Sequence, residues 1–318
     1  MRVVERNQNM KYPVWMDVDT GTDDAVAILA LHKLDCTEII GISTVCGNSG
    51  LENSYRNTRS LNTVCRSSYP VYRGADKPLV REPFHALAVH GKNGLGDIIV
   101  PLPENETEYH EAAWEALYKA AREYKGKLKL IATGPLTNIA IAFTEYPDLK
   151  EYLDTILIMG GATREGNVTP CAEFNFYADP EAASIVLKSG VPIVLCPLDV
   201  TEKALLSPED MEELRACGND AGKFVFDILQ KPWSFHKSIG NKGVQMHDSC
   251  PVLYLAYPEI FEGEEAGVVV ETKSPLTRGK SVTDLYSDKQ FEFKNALVVL
   301  DVDRKAFSEK LKELIKGI

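Results

Sequence analysis

Residues 12–34 read YPVWMDVDTGTDDAVAILALHKL, and this stretch decides the fold. Its first five residues form an apolar run typical of a buried strand, and residues 25–34 predict a helix that is apolar on nearly every face. The turn between strand and helix carries four carboxylates, those of Asp17, Asp19, Asp23 and Asp24. Open α/β sheets bind their ligands at the carboxyl ends of strands, so this turn is the first candidate for a functional site.

Strand-like and helix-like segments alternate along the first two thirds of the chain, which predicts βαβ units and a mostly parallel sheet. Further buried strands are expected at residues 39–45, 128–133, 155–159 and 192–196. The helices between them are expected at residues 52–65, 109–124, 138–146 and 180–188. The last third adds helices at 208–216 and 221–230, hairpin-like segments at 267–272 and 282–286, a strand at 296–302 and a helix at 304–316.

We therefore predict an α/β fold with an open, mostly parallel, Rossmann-like central sheet flanked by helices, and with added late strands and helices. The sequence has no Pro/Ser-rich linker and no internal repeat, which favours a single domain over residues 1–318.

The clustered carboxylates predict a metal site. Four acids this close would repel one another, and a hard cation with oxygen ligands, Ca²⁺ or Mg²⁺, removes that cost. A second explanation applies to Asp23 and Asp24, because negative side chains are favoured at the start of a helix. It does not account for Asp17 and Asp19 at the end of the strand, so we favour the metal site.

Composition excludes several classes of function. The 46 Asp and Glu outnumber the 35 Lys and Arg, the formal charge is −11, and the pI is near 5.2, so we expect no nucleic-acid partner. The sequence contains no apolar run of about 18 residues that could span a membrane. Residues 1–11 lack the apolar core of a signal peptide. Seven cysteines without a CxxC pair are typical of reduced core cysteines in a cytoplasmic protein.

Polar turns follow three other predicted strands: CGN at 46–48, TGPLTN at 133–138 and MGG at 159–161. Carboxyl ends of parallel strands share one edge of a sheet, so a ligand there would meet all of these turns. Further on, Asn167 and the run Glu173-Phe174-Asn175 offer donors and acceptors suited to sugar hydroxyls, although a solvated loop has the same composition.

Two histidines are candidates for the chemistry. His247-Asp248 precedes an apolar run, so Asp248 is either a helix N-cap or a fifth carboxylate of the metal shell. His247 beside it is a candidate acid, because histidine is the usual proton carrier near neutral pH. His90 lies in a glycine-rich loop that could act as a lid, although a lone histidine there is more often a surface residue.

In this order and spacing, the motifs resemble the nucleoside hydrolases, the Ca²⁺-dependent N-ribohydrolase family, over nearly the whole chain. The family's DxDxxxDD opening stands here as Asp17 to Asp24. The other matching segments are 46–48, 132–138, 159–161, 166–167, 173–175, 178–182 and 247–248. Departures occur at Thr20, Thr22 and Ser249, where the family more often has Pro, an aliphatic residue and Pro, and none of them removes a ligand.

The resemblance implies a function and a set of roles. The reaction is hydrolysis of the N-glycosidic bond of purine or pyrimidine ribonucleosides to free base and ribose, by a homodimer or homotetramer. Ca²⁺ would be bound by Asp19, Asp24, Asp248 and the backbone carbonyl of Thr133, with Asp17 in support. The ribose would contact Asp23, Asn48, Met159, Asn167, Glu173, Phe174 and Asn175. Asp19 would be the general base, and His247 or His90 would protonate the departing base.

The base-binding side is harder to assign. Residues 226–236, including Gln230, Trp233 and His236, are expected to line or cover the base, although Trp233 fits ordinary helix packing as well. His247 together with His90 resembles the members that accept inosine and uridine.

Two alternatives remain at this point. Asp17-Val-Asp19-Thr20 also fits the DxDxT opening of haloacid-dehalogenase-type phosphatases, but that family has no use for Asp23-Asp24, Glu173-Phe174-Asn175 or His247-Asp248. A non-catalytic protein that binds Ca²⁺ or nucleosides on the same fold is the other alternative, and an activity measurement distinguishes it.

Overall fold

The computed structural model describes residues 11–104, 107–286 and 290–318, so the polar segment 1–10 lies outside the described residues. Strands β1 to β12 are Tyr12–Val18, Thr37–Thr44, Val71–Arg73, Leu128–Ala132, Leu153–Met159, Ile193–Cys196, Leu205–Leu206, Val244–Gln245, Phe261–Ala266, Val268–Val270, Ser281–Thr283 and Ala296–Val302. Helices α1 to α12 are Thr22–Lys33, Leu51–Cys65, Leu87–His90, Ala113–Tyr124, Thr137–Glu145, Phe174–Ala178, Pro180–Leu187, Leu198–Thr201, Pro208–Ala216, Asp220–Ser238, Ser249–Ala256 and Arg304–Lys316. Short 3₁₀ turns lie at Pro147–Glu151 and Pro258–Ile260.

Eight strands form one sheet in the order β3-β2-β1-β4-β5-β6-β12-β9. All neighbours pair in parallel except β12 and β9, which are antiparallel. Asp17 at the end of β1 pairs with Ser43 of β2 and with Ala132 of β4. The predicted mostly parallel α/β sheet is confirmed, and it brings the carboxyl ends of β1, β2 and β4 side by side.

Helices cover both faces of this sheet. Buried side chains of α1, α10, α11 and α12 form the core on one face, and those of α4, α5 and α7 form the core on the other. Helix α1 is buried from Thr22 to Leu31 because α2, α10, α11 and α12 surround it. This burial explains why the sequence of α1 is apolar on nearly every face. It also holds the first turn of α1, which carries Asp23 and Asp24, in a fixed position.

The structure departs from the sequence predictions at several elements. Among the strands that were not predicted are β3, which has only three residues, and β9, an edge strand whose four middle residues are exposed and mostly acidic. Neither strand carries the alternating or buried apolar pattern that predicts a strand. Helix α4 begins at Ala113 rather than 109, and α10 continues through Pro232 to Ser238, beyond the predicted end at 230.

The late hairpin-like prediction is confirmed, because β10 and β11 pair antiparallel. Within the described ranges, no helix is both long and apolar enough to cross a bilayer.

Candidate active site

The carboxylates of the first turn are buried and meet a fifth acid from far along the chain. Oxygens of Asp23, Asp24 and Asp248 lie within 4.8 Å of one another. Asp19 is also buried, and its Oδ1, like Oδ1 of Asp23, has no hydrogen-bond partner among the described residues. Burial raises the pKa of Asp19 and of Asp248 well above the usual range, and repulsion between the carboxylates raises both further. A positive charge at this cluster would offset the repulsion between the carboxylates.

Helix capping explains part of this cluster but not Asp248. Oδ2 of Asp24 accepts a hydrogen bond from the Gly21 N–H at 2.8 Å, so Asp24 closes the first turn of α1 as the helix-start explanation expects. Asp248 occupies the N-cap position of α11, yet its side chain caps no N–H group of that helix. The N-cap explanation for Asp248 is therefore wrong, and its carboxylate points into the acid cluster instead.

Backbone and hydroxyl donors hold the two acids on either side of the turn. The Asn48 N–H donates to Oδ2 of Asp19 at 2.7 Å, and the Thr133 hydroxyl donates to Oδ1 of Asp24 at 2.7 Å. A Cβ atom at position 47 would lie 2.0 Å from Oδ2 of Asp19, so only glycine fits before Asn48. The CGN turn at 46–48 therefore positions the Asp19 carboxylate.

Asp17 is held by residues for which the sequence analysis assigned no role. Its Oδ2 accepts from the Ser43 hydroxyl and, at 2.8 Å, from the Asn138 amide. Ser43 in turn accepts from the Trp15 indole N–H at 2.8 Å. Burial raises the pKa of Asp17 to about 7, and the two donors limit that rise. The pairing of β1 with β2 could have pointed to Ser43, but no local pattern identifies it.

Glu173 and Asn175 form a second buried polar group beside the acids. Three backbone N–H groups donate to the Glu173 carboxylate: those of Gly161 at 2.9 Å, Asn175 at 2.8 Å and Phe176 at 3.1 Å. Burial nevertheless raises the pKa of Glu173 to about 7. The Asn175 amide donates to the carbonyl of Thr133 at 2.8 Å and to that of Met159 at 3.2 Å. The solvated-loop reading therefore does not apply to these two side chains.

Asn167 differs from the other predicted sugar contacts because it is exposed. Its Oδ1 accepts from the Phe174 N–H at 3.0 Å, which ties its loop to the start of α6. Phe174 and Met159 are both buried. Phe84, from the loop between β3 and α3, lies against Phe174 with a distance of 6.0 Å between the ring centroids.

Three histidines lie on the remaining side of the site. Nδ1 of His90 accepts from the Thr22 N–H at 3.2 Å and lies 3.8 Å from Oδ1 of Asp23, so His90 is not an isolated surface histidine. Nδ1 of His247 lies 2.8 Å from the Thr201 hydroxyl. Burial, together with repulsion from neighbouring histidines, lowers the pKa of His247 to about 3 and that of His236 to about 4.

Residues 226–236 contribute less to this side than predicted. Phe226 and Trp233 pack against the core on the face of the sheet that α1, α11 and α12 cover. Gln230 is exposed, and its amide donates to the Phe226 carbonyl at 3.0 Å. The helix-packing alternative for Trp233 is therefore the better description. Within this stretch, His236 is close enough to His90 and His247 for electrostatic repulsion among the three imidazoles to lower the pKa of His236 and of His247.

Comparison with known proteins places this arrangement in a family. The sequence profile described as inosine-uridine preferring nucleoside hydrolase matches residues 14–309. The chain belongs to the nucleoside hydrolase family. This nucleoside hydrolase is similar to the pyrimidine-specific ribonucleoside hydrolase RihA of Escherichia coli strain K12, with 39% identity over 313 residues, which cover 96% of this chain and 99% of the relative.

Solved structures agree with that assignment. A plant nucleoside hydrolase, PpNRh1, superposes with a TM-score of 0.90 at 27% identity, covering 96% of this chain and 99% of that one. A purine-preferring ribonucleoside hydrolase from Gardnerella vaginalis gives a TM-score of 0.89 at 30% identity, covering 96% and 98%. The predicted family and enzyme class, a hydrolase acting on N-glycosyl bonds, are confirmed, and the phosphatase alternative is set aside.

Proposed function

We propose that this nucleoside hydrolase uses Ca²⁺ to hydrolyse the N-glycosidic bond of ribonucleosides, releasing free base and ribose. The observation that carries the proposal is the buried cluster of Asp23, Asp24 and Asp248 next to the unpaired Oδ1 of Asp19. Mutually repelling carboxylates are costly to bury unless a cation joins them.

The donor set fits calcium. The groups assigned to the ion are all oxygens, which calcium prefers, and no sulfur or imidazole ligand is needed. Asp19, Asp24, Asp248 and the carbonyl of Thr133 would hold the ion. A bound Ca²⁺ would offset the repulsion among these carboxylates and lower the pKa of a water molecule that lies against it.

Neighbouring side chains would then bind the ribose. We assign the 2′-hydroxyl side to Asp23 and Asn48, which lie at the start of α1 and beside it. Glu173, Asn175 and the exposed Asn167 would take the 3′- and 5′-hydroxyls, with Met159 and Phe174 against the sugar ring. Support comes from the fixed positions of Glu173 and Asn175, whose hydrogen bonds to the backbone leave little freedom.

The chain's own residues then account for the proton movements. Asp19 takes a proton from the attacking water, whose oxygen adds to C1′ as the glycosidic bond breaks through an oxocarbenium-like state. The electron pair of the broken C1′–N bond passes to the base, which needs a proton or a strong hydrogen bond. We assign that donor role to His247 and a base-contacting role to His90.

The test is release of free base from inosine, guanosine, adenosine, uridine and cytidine. Each reaction is run with protein as purified, after EGTA treatment, and after Ca²⁺ is restored. We expect release that stops with EGTA and returns with Ca²⁺, and the ranking of the five substrates defines the base preference. Absence of release from all five in the presence of Ca²⁺ would contradict the proposal and favour a protein that binds without turnover.

Two further features belong to the proposal. A homodimer or homotetramer is expected, and sedimentation equilibrium of the purified protein distinguishes the two. A cytoplasmic location also stays a prediction.

A further inference from the structure

Thr201 is a buried residue whose hydroxyl contacts His247. It is the last residue of α8, which follows β6 at the carboxyl edge of the sheet. The side chain is fully buried, and its Oγ1 lies 2.8 Å from Nδ1 of His247. Across the described part of the chain, this is the hydroxyl's single hydrogen bond.

Two other helical threonines of this protein bond within their own helix. A threonine in a helix commonly donates to the carbonyl four residues earlier, as Thr58 does to Ser54 at 2.8 Å and Thr144 does to Ala140 at 2.7 Å. The carbonyl four residues before Thr201 belongs to Pro197; it accepts the N–H groups of Val200 and Thr201, while the Thr201 hydroxyl faces His247. A buried hydroxyl without a partner is unfavourable, so the contact with His247 fixes both side chains.

A hydroxyl is a particularly suitable partner for this imidazole. It can donate or accept, so it holds Nδ1 whichever ring nitrogen carries the proton. His90 differs in that its Nδ1 accepts from a backbone group, the Thr22 N–H at 3.2 Å, and also lies 3.3 Å from the Thr22 hydroxyl. The two histidines thus have different supports, and Thr201 is the support of His247.

We propose that Thr201 is a positioning residue, whose hydroxyl holds Nδ1 of His247 and thereby presents Nε2 to the departing nucleobase. This inference rests on the proposed function. When the C1′–N bond breaks, its electron pair passes to the base, and the Nε2–H of His247 stabilises that developing charge by hydrogen bonding. The released base then takes up a proton from solvent, which balances the proton that Asp19 removed from the attacking water. In this proposal Thr201 acts through His247 and not by its own contact with the sugar or the reacting atoms.

The test compares two substrates with different leaving groups. One is the best ribonucleoside of the panel, and the other is 4-nitrophenyl β-D-ribofuranoside, whose leaving group is a stable anion that needs little assistance. Thr201→Val keeps the shape and removes the hydroxyl. We expect it to lower kcat for the nucleoside by about 10- to 100-fold, a part of what general acid catalysis provides, with KM and the nitrophenyl substrate changed by less than about twofold. Thr201→Ser should restore nucleoside turnover.

Three controls make the result decisive. Thr37→Val removes another buried hydroxyl, at the start of β2, and should leave the ratio between the two substrates unchanged. In a His247→Ala background, Thr201→Val should cause no further loss, because residues that act as one unit are not additive. Thr201→Ala supplies a second variant without the hydroxyl if valine packs badly.

The outcomes distinguish failure of the role assigned to Thr201 from failure of the proposed function. Equal losses on both substrates, additive losses with His247→Ala, or no loss at all would overturn the role of Thr201 while the enzyme remains a nucleoside hydrolase. Wild-type protein that hydrolyses neither substrate in the presence of Ca²⁺ would overturn the proposed function, and the role of Thr201 with it.

Discussion

The acid-and-sugar side of the site and the base side are built on different principles. Around Asp19, Asp24 and Glu173, short backbone turns hold each carboxylate through N–H donors at 2.7 to 2.9 Å. On the base side, His247 is held by the Thr201 hydroxyl, and His90 by the N–H and hydroxyl of one residue, Thr22. The first side is rigid and its geometry is set by the sheet, whereas the second depends on side chains from distant helices and loops.

This difference predicts that preference for one nucleobase over another is set on the base side of the site. A change on the acid-and-sugar side should affect every ribonucleoside equally, because all of them share the ribose and the reacting carbon. A change on the base side should alter the ranking of substrates. Substitutions on each side test this distinction.

Replacing the general base should have the largest effect. Asp19→Asn keeps the size of the side chain and an oxygen for the Asn48 N–H, but it cannot take a proton from water. We expect kcat to fall by about 10³-fold or more for all five nucleosides, with circular dichroism unchanged. Near wild-type kcat in this variant would refute the assignment of Asp19 as the base.

Calcium should stabilise the folded protein through the same side. The ion binds only where the carboxylates are assembled, so free Ca²⁺ at about 100 times its Kd should add about 2.7 kcal/mol to the free energy of unfolding. Thermal melts with EGTA and with Ca²⁺ measure this, with Mg²⁺ as a comparison. Asp24→Asn should weaken the response, and His236→Ala should retain it. An equal response in both variants would place the ion elsewhere.

Glu173→Gln should weaken sugar binding without changing base preference. The amide would direct N–H groups toward backbone donors that now point at a carboxylate. Hydrogen bonds to a charged group contribute about 1.5–3 kcal/mol, so KM should rise by about 10- to 100-fold for every nucleoside. Steady-state kinetics over the panel measures the effect, with 2′-deoxyribonucleosides as a control for the other hydroxyls. A selective change for one base would contradict the assignment of Glu173 to the sugar.

The two sides also differ in how far the sequence predicts them. The acids at the end of β1 and the turns after β2, β4 and β5 follow from strand pattern alone, because parallel strands bring their carboxyl ends together. Asn138 and Ser43, which hold Asp17, were given no role, because each becomes its partner only through strand pairing or helix placement.

The base side depends on how one helix is placed. The prediction for residues 226–236 treated α10 as a helix that ends near 230, whereas it runs on to Ser238 with its apolar side chains on the core. Which face of such a helix meets a ligand is decided by packing against α9 and α3, and no local sequence pattern records that choice.

His236→Ala should alter the substrate ranking modestly. His236 lies near His90 and His247 but is absent from the acid cluster, and its Nδ1 lies 3.1 Å from the Asn241 amide. Loss of one neutral hydrogen bond, about 1 kcal/mol, should change the ratio of kcat/KM between purine and pyrimidine nucleosides by about fivefold. Asn241→Ala is the matched variant and should change the ratio in the same direction. Uniform losses for all five nucleosides would assign His236 to the sugar side.

Gln230→Ala should have the smallest effect, and it tests the placement of α10 directly. The Gln230 side chain is exposed and bonds to its own helix at the Phe226 carbonyl, so truncation removes no contact with the site. We expect stability to change by less than about 0.5 kcal/mol and kcat/KM by less than twofold for each nucleoside. Trp233→Phe is the companion variant, because Trp233 packs on the core and should lower stability without changing the ranking. If Gln230→Ala changes the ranking while Trp233→Phe does not, the exposed face of α10 turns toward the base during the reaction, and the base side is then less fixed than the described structure implies.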